Sequence, residues 1–331
     1  MRKYVLLMIA CLFLSRGAEA SLTFKMSGGL SRVDGGDLND SIRGWRNYYS
    51  DHDVSPYSFR YQLDELESLW ESKLEIIFDL SSRLGLGVGL EFLTKKLSGE
   101  MSWDFSQTKN STIPPNQSRE TRITEESFQE PRYTVQVLPL VLTLYYSFPL
   151  GKQVTVSLGA GGGFYYGSLQ YREDYTYSFD YVDTLTSDSL VVTDVDQYFE
   201  SGEYTEKNTS ITFGLHGGGT FELKLSRSFS FFTEVLARWV NFKGWKGSRV
   251  DSYVWEHTWG LFGTNYEFGE EEERNNGTLW RVDFEDDVTG NSYPRLIFSE
   301  DKPVSPSFTN FRKGEVRIDG ISLRIGFLIR I

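Results

Sequence analysis

Apolar residues along this chain repeatedly hold one parity for the length of a strand, the period-two signature of an element with one greasy face. Segment 21–31 sets Leu22, Phe24, Met26 and Leu30 against Thr23, Lys25, Ser27 and Gly29; segment 73–81 sets Leu74, Ile76, Phe78 and Leu80 against Glu75 and Asp79. Segment 85–96 sets Leu86, Val88, Leu90 and Phe92 against Gly87, Gly89 and Glu91, and 133–148 carries Leu138, Leu140, Leu142, Leu144, Tyr146 and Phe148 on one parity. In 153–167, Val154, Val156, Leu158, Phe164 and Tyr166 oppose Thr155, Ser157, Gly159, Gly161 and Gly163; in 209–225, Ile211, Phe213, Leu215, Phe221 and Leu223 oppose His216, Gly218 and Glu222. Segments 229–242 (Phe231, Val235 and Trp239 against Glu234 and Arg238) and 315–331 (Ile321, Leu323, Ile325, Phe327, Ile329 and Ile331 against Arg324, Gly326 and Arg330) bring the set to eight.

The connections alternate in length. Stretches 32–72, 97–132, 168–208 and 243–314 are long, whereas 82–84, 149–152 and 226–228 are short turns. Outer-membrane barrels have this layout, with tight periplasmic turns and extended extracellular loops, and a soluble sandwich has no reason for it. The pattern predicts an all-β chain: an eight-stranded antiparallel up-and-down transmembrane β-barrel occupying 21–331 as one domain.

Alternation alone leaves open which face is inside. Glycines on the polar parity (Gly87, Gly89, Gly159, Gly161, Gly163) suit a crowded lumen, and aromatics on the greasy parity gather near both strand ends, as interfacial girdles do. Phe24, Phe148, Phe229 and Phe231 lie toward the short turns, and Phe92, Tyr166 and Trp239 toward the long loops. Polar residues inward give the lumen Glu75, Asp79, Glu91, Glu222 and Glu234 against Lys25, Lys95, Lys224, Arg238, Arg324 and Arg330. That near balance predicts a salt-bridge network plugging the barrel, because buried charges persist only when paired. Glu75 and Glu91 are expected to face each other, with a base close by or one carboxyl pKa raised, and Glu234 to pair with Arg324.

Composition agrees. The chain carries 24 Phe, 19 Tyr and 31 Gly, a net charge of -12 and one cysteine; its acidity excludes a nucleic-acid binder. Residues 1–20 read as a cleaved secretory signal peptide: Arg2 and Lys3, an apolar run containing Cys11, then Ala18-Glu19-Ala20. The exported part then holds no thiol and no disulfide. The mean hydropathy of -0.36 does not oppose a barrel, since only alternate residues of its strands are apolar.

On these residues the chain resembles the eight-stranded outer-membrane barrels of the OmpA, OmpX and OmpW type. Gly326, Ile329 and Ile331 occupy the places of the family's C-terminal assembly signal, with Ile331 where an aromatic is usual. The resemblance implies a Gram-negative-type cell outer membrane, contact with lipid, lipopolysaccharide and the barrel assembly machinery, and no single activity.

Eight strands leave an interior just wide enough for side chains. The expected role is therefore an envelope structural or surface-interaction protein acting through its long loops. A narrow channel for small or apolar solutes is the alternative, and an envelope enzyme a poorer one. His216 is expected to be a lumen histidine hydrogen-bonded to a carboxylate near Glu222. His52 and His257 sit in long loops beside Asp51, Asp53 and Glu256, but no motif supplies a nucleophile. Glu270-Glu271-Glu272-Glu273 with Asp283, Glu285, Asp286 and Asp287 reads as solvated loop charge rather than a calcium site. No cofactor is implied. Tyr171, Tyr175, Tyr177, Phe179 and Tyr181 alternate again, so strands run on above the membrane as a recognition face or pack against Trp245, Tyr253, Trp255 or Trp259. Sequons at Asn110, Asn116, Asn208 and Asn276 fit exposed loops.

Overall fold

All eight alternating segments form strands, but the stretches between them are not simple loops. The computed structural model describes residues 22–113, 117–187 and 190–331, so the stretch 1–20, expected to be a signal peptide, lies outside the described residues. In chain order the elements are β1 (Leu22–Val33), α1 (Asp37–His52), β2 (Tyr57–Leu63), β3 (Ser68–Asp79), β4 (Leu84–Ile113), β5 (Gln117–Pro149), β6 (Val154–Ser187), β7 (Leu190–Lys224) and β8 (Phe229–Trp239). Then follow β9 (Asn241–Lys243), β10 (Lys246–Leu261), β11 (Asn265–Glu285), β12 (Ser292–Ser299), β13 (Phe308–Lys313), β14 (Glu315–Arg317) and β15 (Gly320–Arg330). The described residues thus hold fifteen strands where eight were expected. β4 to β7 run for 30, 33, 34 and 35 residues, well past the segments 85–96, 133–148, 153–167 and 209–225.

Antiparallel pairings link β1 to β3, β3 to β4, and so on through β5, β6, β7, β8 and β15 back to β1. This cycle leaves no open edge around its waist. Above it β4 to β7 continue as an open sheet. There β2 pairs with β4 through Leu63↔Gly99, and β10 takes over from β8 as the neighbour of β7 through Lys246↔Thr209. β11 pairs with β10, and both β12 and β13 pair with β11.

The phase of the alternation changes where the ring ends. Within the ring the apolar side chains point outward: Ile325 is 57% exposed beside Arg324 at 1%, and Leu140 is 55% exposed beside Val141 at 0%. The outward run from Leu138 to Phe148 has the ~9–11 residues that a tilted strand needs to cross hydrocarbon. Beyond the ring the bulky residues move to the inner parity: Leu169, Tyr171, Tyr175 and Tyr177 on β6, Leu93, Leu97, Met101 and Trp103 on β4. The outer parity there is polar and charged, as the Arg132–Asp174 (2.9 Å) and Arg172–Glu203 (2.9 Å) pairs on the open sheet show.

α1 covers the inner mouth. Gly35 and Gly36, with φ of 78° and 60°, turn the chain off β1 into the helix. Asp37 in its first turn accepts from both Arg312 terminal nitrogens (2.6 and 2.5 Å) and from the Glu315 amide (2.7 Å). Leu38 and Ile42 are buried in one cluster with Val33, Leu69, Leu93, Val137, Phe242 and Ile318. These residues come from opposite sides of the ring, so they meet over its centre. Toward its C-terminus α1 is held on β12: the Arg295 guanidinium lies 3.7 Å from the Trp45 ring centre and 4.1 Å from that of Phe284.

A Cβ at Gly44 would lie 2.1 Å from the Pro294 carbonyl oxygen. Gly44→Val is therefore expected to lift α1 off β12 at a cost of about 1–3 kcal/mol. Limited proteolysis should cut between α1 and β2 sooner, while the stability of the strand ring is unchanged.

Candidate functional site: a charged lumen, an apolar seal and an aromatic wall

The inner face reads as a column. At the short-turn end a polar vestibule of about 460 Å³ is lined by Thr23, Asp79, Tyr145, Ser157, Glu222 and Arg330 among others. Above it Lys25 reaches Glu234 at 2.5 Å and Glu75 at 3.9 Å; Lys73 reaches Glu75 at 3.1 Å and Glu91 at 3.6 Å. Arg238 donates to Glu91 (2.7 Å) and Glu71 (3.3 Å). Arg324 touches Glu71 (2.7 Å), Glu91 (3.1 Å) and Glu234 (3.4 Å). Four bases and four carboxylates, all buried, neutralise one another, with Tyr145 donating to Glu75 (2.7 Å) and Thr220 to Glu234 (3.1 Å). Burial of so many ions is tolerable only because each is paired with ions of opposite sign.

The charges come from β1, β3, β4, β8 and β15, five neighbours in the ring. β5 to β7 supply small or hydroxyl-bearing residues opposite, and β4 its own glycine: a Cβ at Gly87 would lie 2.5 Å from a Glu75 carboxylate oxygen. The apolar seal described above stands over this network.

Glu75, Glu91, Glu234, Lys25, Arg238 and Arg324 are brought together, and Arg324 lies opposite Glu234 across β8–β15. Other expectations need correction. Glu75 faces Gly89, and Lys73 faces Glu91, because the turn centres one residue earlier, on 80–83, with the Leu80 and Ser81 amides bonded to the Leu84 carbonyl. Glu222 and Arg330 form a separate pair (2.5 Å) at the vestibule, where Asp79 and Lys224 also lie; Lys95 lines a cleft with Asp64 and Glu65 on the far side of the seal. His216 bonds Thr143 (2.9 Å), not a carboxylate. His52 meets Asp286 (3.3 Å) and His257 meets Asp196 (2.7 Å), rather than their sequence neighbours. Gly326 lies inward between Ser27 and Phe232, where a Cβ would be 1.9 Å from the Met26 carbonyl oxygen, while Ile329 and Ile331 are exposed at the short-turn rim. Glu71 and Lys73 were missed as network members; Trp70 and Leu74, both outward, carry the signal that β3 begins earlier.

Above the seal the inner face is aromatic and acidic. Tyr133, Tyr171 and Tyr204 contact across β5 to β7, the first pair tilted and the second edge to face (4.6 and 5.7 Å between centroids). Farther up, Trp103, Tyr177, Tyr198 and Trp255 form a row at 6.2, 6.1 and 6.4 Å. The Tyr-rich segment thus packs sideways within its own sheet with Trp255, while Trp245 is buried against Phe242 in the seal. Carboxylates interleave two residues from tyrosines on the same face: Tyr198 donates to Glu200 (2.5 Å) and Tyr204 to Glu206 (3.0 Å). The Glu270–Glu273 run is a strand, part of the free edge of β11 rather than a loop; charge on an edge deters pairing with another chain. Asn208 of the sequon is buried, and Glu206 beside it, also buried, has its carboxyl pushed up to about 7 by loss of water.

No family model matches the chain, nor does any curated protein. Similar solved structures include a major outer membrane protein from Thermus thermophilus, 14% identical with a TM-score of 0.33 over 95% of this chain and 100% of that one. A Pseudomonas aeruginosa FadL homologue is 8% identical with a TM-score of 0.14 over 94% and 90%. At such values the functional reading rests on the chain's own geometry.

Arg324→Leu would leave the network one buried negative charge in excess, shared among Glu71, Glu91 and Glu234, and a loss of about 3–5 kcal/mol is expected in urea unfolding from lipid vesicles. For Glu206 the raised folded value means that ionisation costs stability as pH climbs from its ordinary 4.5 to about 7. Glu206→Gln should accordingly slow hydrogen exchange in β7 and β10 at pH 8, by about 1–3 kcal/mol in opening free energy, and leave it unchanged at pH 4.5.

Proposed function

We propose that this chain is an eight-stranded barrel of a Gram-negative-type outer membrane, that its lumen does not conduct, and that it serves the cell surface through the sheet it raises above the bilayer. The observation that carries the reading is the inversion of burial around the ring. Exposed isoleucines and leucines alternate with ion pairs that water does not reach, an arrangement that is stable only where the outside medium is hydrocarbon. In water the same surface would be an apolar patch far beyond what soluble monomers carry.

The ring, with its turns at 80–83, 150–153 and 225–228, takes the periplasmic side below. β6 continues for about 20 residues past the outward belt, roughly 60 Å of strand, on the extracellular side. Outer-membrane lipid and lipopolysaccharide are its surroundings, and the C-terminal β15 with Gly326, Ile329 and Ile331 is its assembly signal. The histidine contacts, His216 with Thr143, His52 with Tyr48 and Asp286 and His257 with Asp196, support structural roles, and no hydrolytic centre is assigned to them.

Ile325→Arg places a charge at the middle of the belt and is expected to cost about 2–4 kcal/mol in folding into bilayers. In planar bilayers the wild-type protein is expected to give no unit currents. Steady conductance steps would favour the channel alternative, and a mature chain monodisperse in detergent-free buffer would overturn the membrane reading.

A further inference from the structure

We infer that the inner face of the sheet above the seal is a docking groove for a cationic peptide, its aromatic row and interleaved carboxylates receiving lysine or arginine side chains. The inference rests on the reading of this sheet as the extracellular part of a membrane barrel. Each ring of the row Trp103–Tyr177–Tyr198–Trp255 is half-buried and keeps part of its surface open.

Charge decides what suits such a row. Glu125 and Glu200 lie on the strands flanking Tyr177, and Asp251, Glu173 and Glu271 share the same inner parity below them. The bases on this face are Arg249 near its foot, Lys95 in the cleft with Asp64 and Glu65, Arg119, tied up by Asp183 (2.7 Å), and Lys109 near the top. Carboxylates therefore outnumber cations along the row, and their hydroxyl partners are tyrosines rather than bases. Asn208, on the same parity at the foot and 1% exposed, keeps its Oδ1 without a donor among the described residues. Aromatic faces bind ammonium and guanidinium through their quadrupoles, and a nearby carboxylate adds a charge-assisted hydrogen bond. A metal ion fits less well, since no three carboxylates or histidines among the described residues converge as ligands. An anionic or neutral partner would leave the carboxylates desolvated and unpaired.

The opposite face provides an internal control. Glu126 and Asp104 are adjacent on β5 and β4, exposed and turned away from the groove, so neutralising them removes the same charge without touching it.

The test uses the mature chain in lipid nanodiscs, titrated with hexa-arginine and hexa-glutamate and followed by calorimetry and tryptophan fluorescence at 50 and 300 mM salt. Hexa-arginine is expected to bind, to perturb the fluorescence and to weaken with salt, while hexa-glutamate does not bind. The double variant Glu125→Gln/Glu200→Gln should weaken binding 5- to 30-fold, as should Trp255→Ala, and Asp104→Asn/Glu126→Gln less than twofold. Equal loss for both double variants would reduce the effect to net charge and overturn the groove. Absence of binding would overturn it as well, and so would calcium binding that the groove variants abolish while hexa-arginine is ignored. Failure of the chain to enter nanodiscs would instead count against the membrane reading; a folded, inserted protein that ignores the peptide counts against the groove alone.

Discussion

Arg324 touches carboxylates from β3, β4 and β8 at once, and each of those carboxylates is shared with another base. Eight ionised groups excluded from water can coexist in so narrow a space only if all are present and the strands hold their register. A slip of one residue would turn the ions into the surrounding medium and the isoleucines into the lumen. The ring's closure, the glycines that make room opposite, and the apolar belt outside are conditions of this one network.

The same strands serve two environments because their alternation changes phase at the top of the ring. Below that point the bulky apolar residues of β6 are Val156, Leu158, Phe164 and Tyr166, outward; above it they are Leu169, Tyr171, Tyr175 and Tyr177, inward. A continuous ladder of backbone hydrogen bonds thus passes from a belt with its apolar side out to a sheet with its apolar side in. At the crossover the inner positions are filled by Leu93, Val137 and Phe242 together with Leu38 and Ile42 of α1, and this is where the lumen is stopped. The stopper is a docked helix, held by Arg295 between aromatic rings and by Asp37 under Arg312, rather than a continuation of the ion network.

Function on this architecture divides by height. The ion network fills the ring with paired charges, and below it lies the polar vestibule. The wall above it is the part with unshared surface: aromatic, acidic, and bounded on one side by the glutamate-bearing edge of β11. An edge rich in like charge resists aggregation while leaving the concave face free for a ligand of opposite sign.

Much of this was legible in the chain itself. Alternation is a local property, so the eight ring segments follow from parity; the outward sense of Ile325 and the inward sense of Arg324, Glu91 and Glu234 follow once the glycines on the polar parity and the aromatics near the strand ends choose the face, and the balance of inward charges follows from counting them. Three things required the folded molecule. Register across a turn depends on which residues close it, and a shift of the turn centre by one residue put Lys73, not Glu75, opposite Glu91. The extensions of β4, β5 and β7 were hidden because a change of phase looks, to a period-two reading, like the end of a strand, whereas that of β6 showed in its alternating Tyr171, Tyr175, Tyr177, Phe179 and Tyr181. The place of α1 and the pairings of His52 with Asp286 and His257 with Asp196 join residues distant in sequence. Side-chain parity is dictated by the geometry of a single strand, whereas partners across a ring are chosen by closure, and closure is a property of all the strands together.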